Sequence, residues 1–499
     1  MRRTFAALLL LWCLLPGRSR ANGVSIEKVS LNTETFAEIT FTVSWKNAWN
    51  LDTMSAPGNH DAVWIFLKRD FNFVWDHLDL SPEPEHLSRN PEILRIQPVP
   101  DGKGVFLLPA LAGAGDIPPT EVTLVLREPL ESAAQIQFLI GAIEMVYVPE
   151  GPFWLGDGGS NQRLTAGDGV SPFRVTSEGT INFGSRPDEL AADAVSGSAT
   201  AVPEAWPKGY AGFYCMKYEI SQQQYGDFLS TLTYAQQAVR MAAPPDSERG
   251  ALLLAVEPGF RNGLRIGWPG NPESNNSGAL IAHNLAGDDT DDGPGDGQNR
   301  ACNYLNWDDV VAYLDWAALR PMTEFEFEKA CRGPLEPVTG EFAWGTGAII
   351  DANTVLDDGT ATERVSEAGN SAAGLASHGY AGPQGPLRCG FAAGAATDRL
   401  GAGAGYWGAM ELSGNMWELC VAPTPAGLLF TGECGDGILD AQGNANAAGW
   451  PAAMGAGHRG GGWNSGILPG FRDLAVSDRF YMDLPPTMRR NTTGGRGVR

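Results

Sequence analysis

Arg459-Gly460-Gly461-Gly462-Trp463-Asn464-Ser465-Gly466 opens the C-terminal segment of the chain, and Gly494-Gly495-Arg496-Gly497-Val498-Arg499 closes it. Three consecutive glycines admit positive φ and close backbone approach, and the indole that follows needs a deep apolar slot. Between these ends, Leu474-Ala475-Val476-Ser477-Asp478-Arg479-Phe480-Tyr481 alternates and predicts a strand. Aromatic and guanidinium side chains, the types enriched at binding hot spots, are interleaved along the same stretch. Trp463, Asn464, Ser465, Arg472, Arg479, Phe480, Tyr481 and Arg489 therefore define a candidate ligand-binding surface. The competing reading places the aromatics in the core and pairs the arginines with the chain's acidic excess.

Working upstream, three helices are marked by agreeing caps, stripes and stops. Ser221 with Gln224 makes a capping box, and Tyr225, Phe228, Leu229 and Leu232 form the buried stripe behind it. Asn306 caps a helix from Trp307 to about Leu319, with Val310, Tyr313, Leu314 and Ala317 inward and Pro321 beyond its end. Thr323 with Glu326 repeats the box, and Gly333-Pro334 ends that helix. Past Gly333 only short strands and loops are expected. A Gly-rich segment from Asp157 to about Ala205 reads as a long loop or insertion.

From Val24 to about Gly141 the period is two. Ile39, Phe41, Val43 and Trp45 alternate with polar residues, as do Val122, Leu124 and Leu126, and then Ile136, Phe138 and Ile140. Val63-Trp64-Ile65-Phe66-Leu67 is continuous, the pattern of a strand buried on both faces. These runs predict an all-β, sandwich-like domain over residues 22–141.

At 499 residues with 43% hydrophobic and 19% charged, the chain is globular and long enough for more than one domain. Its 63 Gly and 34 Pro favour loops over long helices. A net charge of -23 makes nucleic acid and anionic membranes poor partners. Arg2 and Arg3, the apolar run Ala6 to Leu15 and the Ser19-Arg20-Ala21 site predict a secretory signal over residues 1–21. No later stretch is long and apolar enough to span a bilayer. The expectation is an exported protein, extracellular, at the cell surface or periplasmic.

Outside the signal six cysteines remain, Cys215, Cys302, Cys331, Cys389, Cys420 and Cys434. An even number in an oxidising compartment predicts disulfides; six cysteines allow about fifteen pairings, of which Cys302–Cys331 and Cys420–Cys434 are the nearest in sequence. No Cys-x-x-Cys, Walker A, Gly-x-Ser-x-Gly or His-Glu-x-x-His sequence is present, and the histidines show no metal-ligand spacing. Gly403-x-Gly405-x-x-Gly408 lacks a surrounding βαβ unit and reads as a turn.

Two acidic stretches invite a hard cation. Asp288 to Asp296 concentrates carboxylates on turns, either as a calcium loop or as a solvated acidic one; Arg300 spoils the EF-hand pattern. In Glu411-Leu412-Ser413-Gly414-Asn415-Met416-Trp417-Glu418, two carboxylates bracket a Gly-Asn turn that can aim carbonyls and both carboxylates at one ion.

Met145 to Phe153, Tyr218-Glu219-Ile220-Ser221, Asn303 to Trp307, Arg320 to Gly333, Phe342-Ala343-Trp344-Gly345, Ser413 to Glu418, Arg459 to Trp463 and Gly495-Arg496 occur in an order that resembles the formylglycine-generating enzyme family, also called the sulfatase-modifying factor domain. The resemblance covers roughly residues 142–499 and implies an α+β class, with a C-type-lectin-like fold of the formylglycine-generating-enzyme type. It implies calcium ligands at Glu411, Gly414, Met416 and Glu418, the glutamates by carboxylate and the other two by carbonyl. It also implies a pair of copper-binding, disulfide-forming cysteines after the Gly-Gly-Ser-aromatic segment, which oxidise a sulfatase cysteine to formylglycine.

Here the pair is missing. The first position matches Ser465, the second falls near Gly470, and no cysteine follows Cys434. Serine supplies neither the soft thiolate that Cu(I) requires nor a disulfide, so copper is not expected. The reading that follows is a secreted, non-catalytic protein that binds an extracellular protein or glycan, or has a structural role. The alternatives are a copper-dependent oxidase with relocated thiols, of which Cys420 and Cys434 are the nearest, and a subunit of a homo-oligomeric or mixed extracellular assembly.

Overall fold

In the computed structural model the strand Asp61–Phe71 is buried along most of its length because it separates two cores. Val63, Ile65 and Leu67 face one of them, with Ile39, Phe41, Val43, Val122 and Leu124. Ala62, Trp64 and Phe66 face the other, with Trp206, Phe228, Tyr313 and Trp316. The continuous apolar run is thus explained by layers on both sides. The structure describes residues 23–499 apart from 52–56, 72–73, 132–135, 160–163, 192–198, 256–258, 274–276, 289, 395–397 and 469–470, so the expected signal over 1–21 lies outside the described residues.

Two sheets enclose the first core. One is four-stranded, with Glu38–Asn50 between Ser25–Leu31 and Gly113–Val125. The other is eight-stranded, and it does not stop at the N-terminal region. The strand Ile136–Val148 pairs antiparallel with Asp61–Phe71 through Trp64↔Ile143 and Leu67↔Ile140, then with Phe213–Met216 through Met216↔Met145. The division expected between residues 141 and 142 falls inside this one strand. Beyond Phe213–Met216 the sheet adds Gly497–Val498 and then Arg320–Pro321, so the chain's end is a buried inner strand.

Among the described residues four α-helices pack beside the sheets: α1 Gln222–Ser230, α2 Tyr234–Arg240, α3 Trp307–Trp316 and α4 Glu324–Arg332. Few helices against mostly sheet is an α+β arrangement. The capping boxes of Ser221, Asn306 and Thr323 are all formed, and α4 ends at Gly333 with φ 67°. α3 is shorter than its pattern, because Ala318 at φ 54° turns the chain before Leu319. α2 begins with a further box, Thr233 with Gln236. The Asp157–Ala205 segment carries short strands, Phe173–Val175, Ile181–Gly184 and Ala201–Val202 among them. The strand expected over Leu474–Tyr481 is absent; the described backbone there is turns, held by side-chain bonds to α4. Among the described residues no helix is long and apolar enough to cross a membrane.

Candidate functional site

The strand Glu418–Val421 pairs antiparallel with Ala456–Arg459, Glu418 opposite Arg459, and this brings the Glu411–Glu418 turn against the Arg459–Ser465 segment. Gly414 donates to the Gly460 carbonyl at 2.8 Å, and Trp463 N donates to the Asn415 carbonyl at 2.7 Å. Glu411, Gly414 and Asn415 all have positive φ, at 58°, 97° and 63°. At Gly414 a Cβ would stand 2.5 Å from the Ser377 carbonyl, so glycine is required by space as well as by torsion.

Three glutamates surround this turn. Glu219 accepts from Met416 N at 2.9 Å and from Asn415 Nδ2 at 2.5 Å. Glu411 Oε1 accepts from Gly390 N at 3.0 Å. Glu418 Oε1 accepts from Arg496 Nε at 2.7 Å, and Arg496 also donates to the carbonyls of Met216, Lys217 and Met410. Glu411 Oε2 and Glu418 Oε2 are buried and accept no hydrogen bond. Burial pushes the Glu411 carboxyl up to about 7, against the pull of Arg496 and Arg388. Burial first, then the charge of Glu411, also raises Glu219 well above the usual carboxylate range.

Glu411 Oε2 and Glu418 Oε2 are unpartnered carboxylate oxygens, the hard donors that a calcium ion takes. Glu411 lines a narrow cleft with Ser377, Ser413, Asn415 and Phe391. Among the described residues no three His, Cys, Asp or Glu side chains converge as metal ligands, so carbonyls would have to complete the set. The residues fit a hard ion on these terms. The Asp288–Asp296 loop is different, since its carboxylates are engaged internally. Asp288 accepts from Thr290 N, Asp291 from Arg249 and Asn284, Asp292 from His283, and Asp296 from Ala286 N and Gly293 N; Asp289 lies outside the described residues.

Ser465, at the position of the first family cysteine, is buried. Its hydroxyl accepts from Gly462 N at 3.0 Å and bonds the Asp473 carboxyl, whose pKa burial raises. Gly470, near the second position, lies outside the described residues, as does the side chain of Arg472. Several residues of the expected binding surface belong to the core instead. Trp463 is 2% exposed, stacks on Phe260 at 5.6 Å and donates its indole N–H to the Asn491 carbonyl. Arg479 is fully buried and pairs with Glu328 and Glu324. Arg489 is half-buried and ion-paired to Asp309 at 2.6 Å. Acids of α4 hold Arg479 and Asp309 of α3 holds Arg489, and the slot around Phe260 takes the indole. Phe480 remains exposed, and Asn464 and Tyr481 are half-buried.

The disulfide expectation is also corrected: all six cysteines are free thiols, so neither Cys302–Cys331 nor Cys420–Cys434 is formed. Each except Cys434 is fully buried, and desolvation pushes the Cys215 thiol up to about 12 and Cys302, Cys331, Cys389 and Cys420 well above the ordinary value.

A family model described as the sulfatase-modifying factor enzyme 1-like domain matches residues 142–498. The chain belongs to that family. No curated protein matches it. In this sulfatase-modifying factor domain, Glu219 and Arg496 join the turn's two glutamates, although in the sequence they mark only a strand-helix junction and the C-terminal motif. A lone acid at the end of the apolar Phe213–Ile220 run was the available signal for Glu219.

Proposed function

We propose that this sulfatase-modifying factor domain protein is a secreted, non-catalytic ligand-binding or structural protein. Its domain is a C-type-lectin-like variant that lacks the family's oxidase chemistry. The observation that carries the reading is Ser465. Where the resemblance places a catalytic cysteine, a buried hydroxyl is held between Gly462 N and Asp473. Cys420, in the strand paired with Ala456–Arg459, is buried and held in its protonated form, which makes it a weak nucleophile and a weak copper ligand.

In the same reading Glu411 and Glu418 hold a calcium ion by their carboxylates, with the Gly414 and Met416 carbonyls. Such an ion supplies charge balance and rigidity to the turn beside Ser465. The test is incubation of the purified protein with Cu(I), oxygen and a peptide carrying the sulfatase motif, followed by mass spectrometry. Unchanged peptide is expected; formylglycine in the peptide would refute the reading.

One observation favours a further role as an assembly subunit. Trp268 and Leu280 face each other across the hairpin Leu264–Trp268/Leu280–His283 and are 69% and 62% exposed. Light scattering at high concentration tests this: Trp268→Glu should shift any oligomer toward monomer, and a wild-type protein that stays monomeric would remove the idea.

A further inference from the structure

Trp417 stands beside the turn that holds Ser465: a Cβ on Gly462 would lie 3.1 Å from its Cδ1. The Tyr481 ring meets Trp417 at 5.3 Å between centroids with the planes at 90°, and Phe480 meets Tyr481 at 4.8 Å and 84°. Phe480 is 43% exposed and Trp417 and Tyr481 are half-buried, so each of the three perpendicular rings reaches solvent in part. Behind Trp417, at 6.1 Å, His458 is buried; burial first and then Arg490 push its pKa down to about 4, so the wall is uncharged at neutral pH.

The rim is polar and of both signs. Asp473 is half-buried and bonded to Ser465, and Arg490 is exposed. Asp478 fixes the backbone of this wall by accepting from Phe480 N at 3.1 Å. Burial first, then the charges of Asp473 and Asp478, raise the Tyr481 phenol against the pull of Arg490.

This pairing selects a ligand class. A pyranose has a flat C–H face that suits the electron-rich face of an aromatic ring, and hydroxyls around its edge that need acceptors and donors together. Asp473 offers the first, Arg490 and Tyr481 the second. An anionic ligand would meet Asp473 at the rim and the net charge of -23. A cation would suit rings and carboxylates but would face Arg490. A folded protein partner needs roughly 800 Å² on each side, far more than three rings present. We propose that Trp417, Phe480 and Tyr481, with Asp473 and Arg490 at the rim, bind a neutral saccharide chain.

This inference rests on the non-oxidase reading, because it gives the surface beside Ser465 to a ligand that is not oxidised. Isothermal titration calorimetry of the full mature chain with cellohexaose, N-acetylchitohexaose and maltohexaose, and with hexa-arginine as the cationic arm, tests it. At least one hexasaccharide should bind, and Phe480→Ala and Tyr481→Ala should each weaken that binding about tenfold or more, which is roughly one stacked ring. Phe480→Ala removes an exposed side chain, and its unchanged melting temperature controls for misfolding. Failure of all three hexasaccharides to bind, equal binding by both variants, or binding of hexa-arginine alone would each overturn the proposal. A peptide left unmodified in the copper assay alongside any of those results would show that the saccharide assignment failed while the non-oxidase reading stood.

Discussion

Against α4, Glu324, Glu328 and Glu341 face Arg332, Arg459 and Arg479; around the Glu411–Glu418 turn stand the acids Glu219, Glu411 and Glu418 with Arg496, which pairs with Glu418. Both clusters are buried, and both tie the C-terminal segment to the domain. Their charge balance differs, and so do their carboxyls. At Glu328 burial opposes ionisation, but Arg479, Arg332 and Arg459 outweigh it and hold the pKa at about 2. At Glu411 burial wins and the pKa stands at about 7. Glu324 is intermediate: burial keeps it above its ordinary value although Arg459 and Arg479 pull it down. A balanced cluster is a staple, complete in itself. A cluster with surplus acid needs a proton or a cation, and the proposed calcium is that cation.

The largest expected effect is at the balanced hub. Glu328 accepts from Arg332, Ser477 and Gly156 N and pairs with Arg479, so Glu328→Gln leaves buried guanidinium charge uncompensated. The cost should be about 3–5 kcal/mol in denaturant unfolding. A cost below about 1 kcal/mol would show that the two clusters do not differ as described.

Where the N-terminal sheet meets the domain there is a second surplus, with Lys217 at 3.3 Å from both Asp61 and Glu144. Burial raises Glu144 to about 7, against the attraction of Lys217. Between the unfolded carboxyl value and about 7 the folded state holds a proton that the unfolded state has released. That contribution is therefore full at low pH and lost as pH rises through about 7. Glu144→Gln should abolish this decline, gaining on wild type by up to about 3 kcal/mol between pH 5 and 8. Parallel pH profiles for the two proteins would contradict it.

The smallest effect has the opposite sign from the first. In EDTA at pH 8, Glu411→Gln should stabilise by about 1 kcal/mol, because it removes surplus buried charge. Calcium affinity in the wild type should fall as pH falls through about 7, since the ion must displace the proton on Glu411. Calorimetric titrations at pH 6 and 8 measure this, and equal affinities would sever the link between ion and carboxyl.

Much of this was legible in the sequence. The capping boxes placed three helices because a cap is a local bond between neighbours in the chain. Thr233-x-x-Gln236 was equally visible, but it starts only a seven-residue helix just past Leu232. The all-apolar Val63–Leu67 run correctly signalled two covered faces. The Glu411–Glu418 turn was visible as two carboxylates around Gly-Asn, but its pairing with the Arg459 segment appears only in the structure. The Leu474–Tyr481 alternation misled, because Ser477 and Arg479 are buried as partners of Glu328, a contact more than a hundred residues away in sequence. Charge pairing of that range leaves no periodic trace. Nor does the free state of the cysteines, which depends on where buried side chains point and not on how many there are.

The contrast between the two clusters is tested most directly by thermal melting of the EDTA-treated protein with and without millimolar calcium at pH 8. A native-specific ion must raise the melting temperature in proportion to how far its concentration exceeds its dissociation constant. A rise of several degrees with calcium is expected, lost in Glu411→Gln. Superimposable melting curves would contradict it and leave Arg496 and bound protons as the whole of the charge balance at the turn.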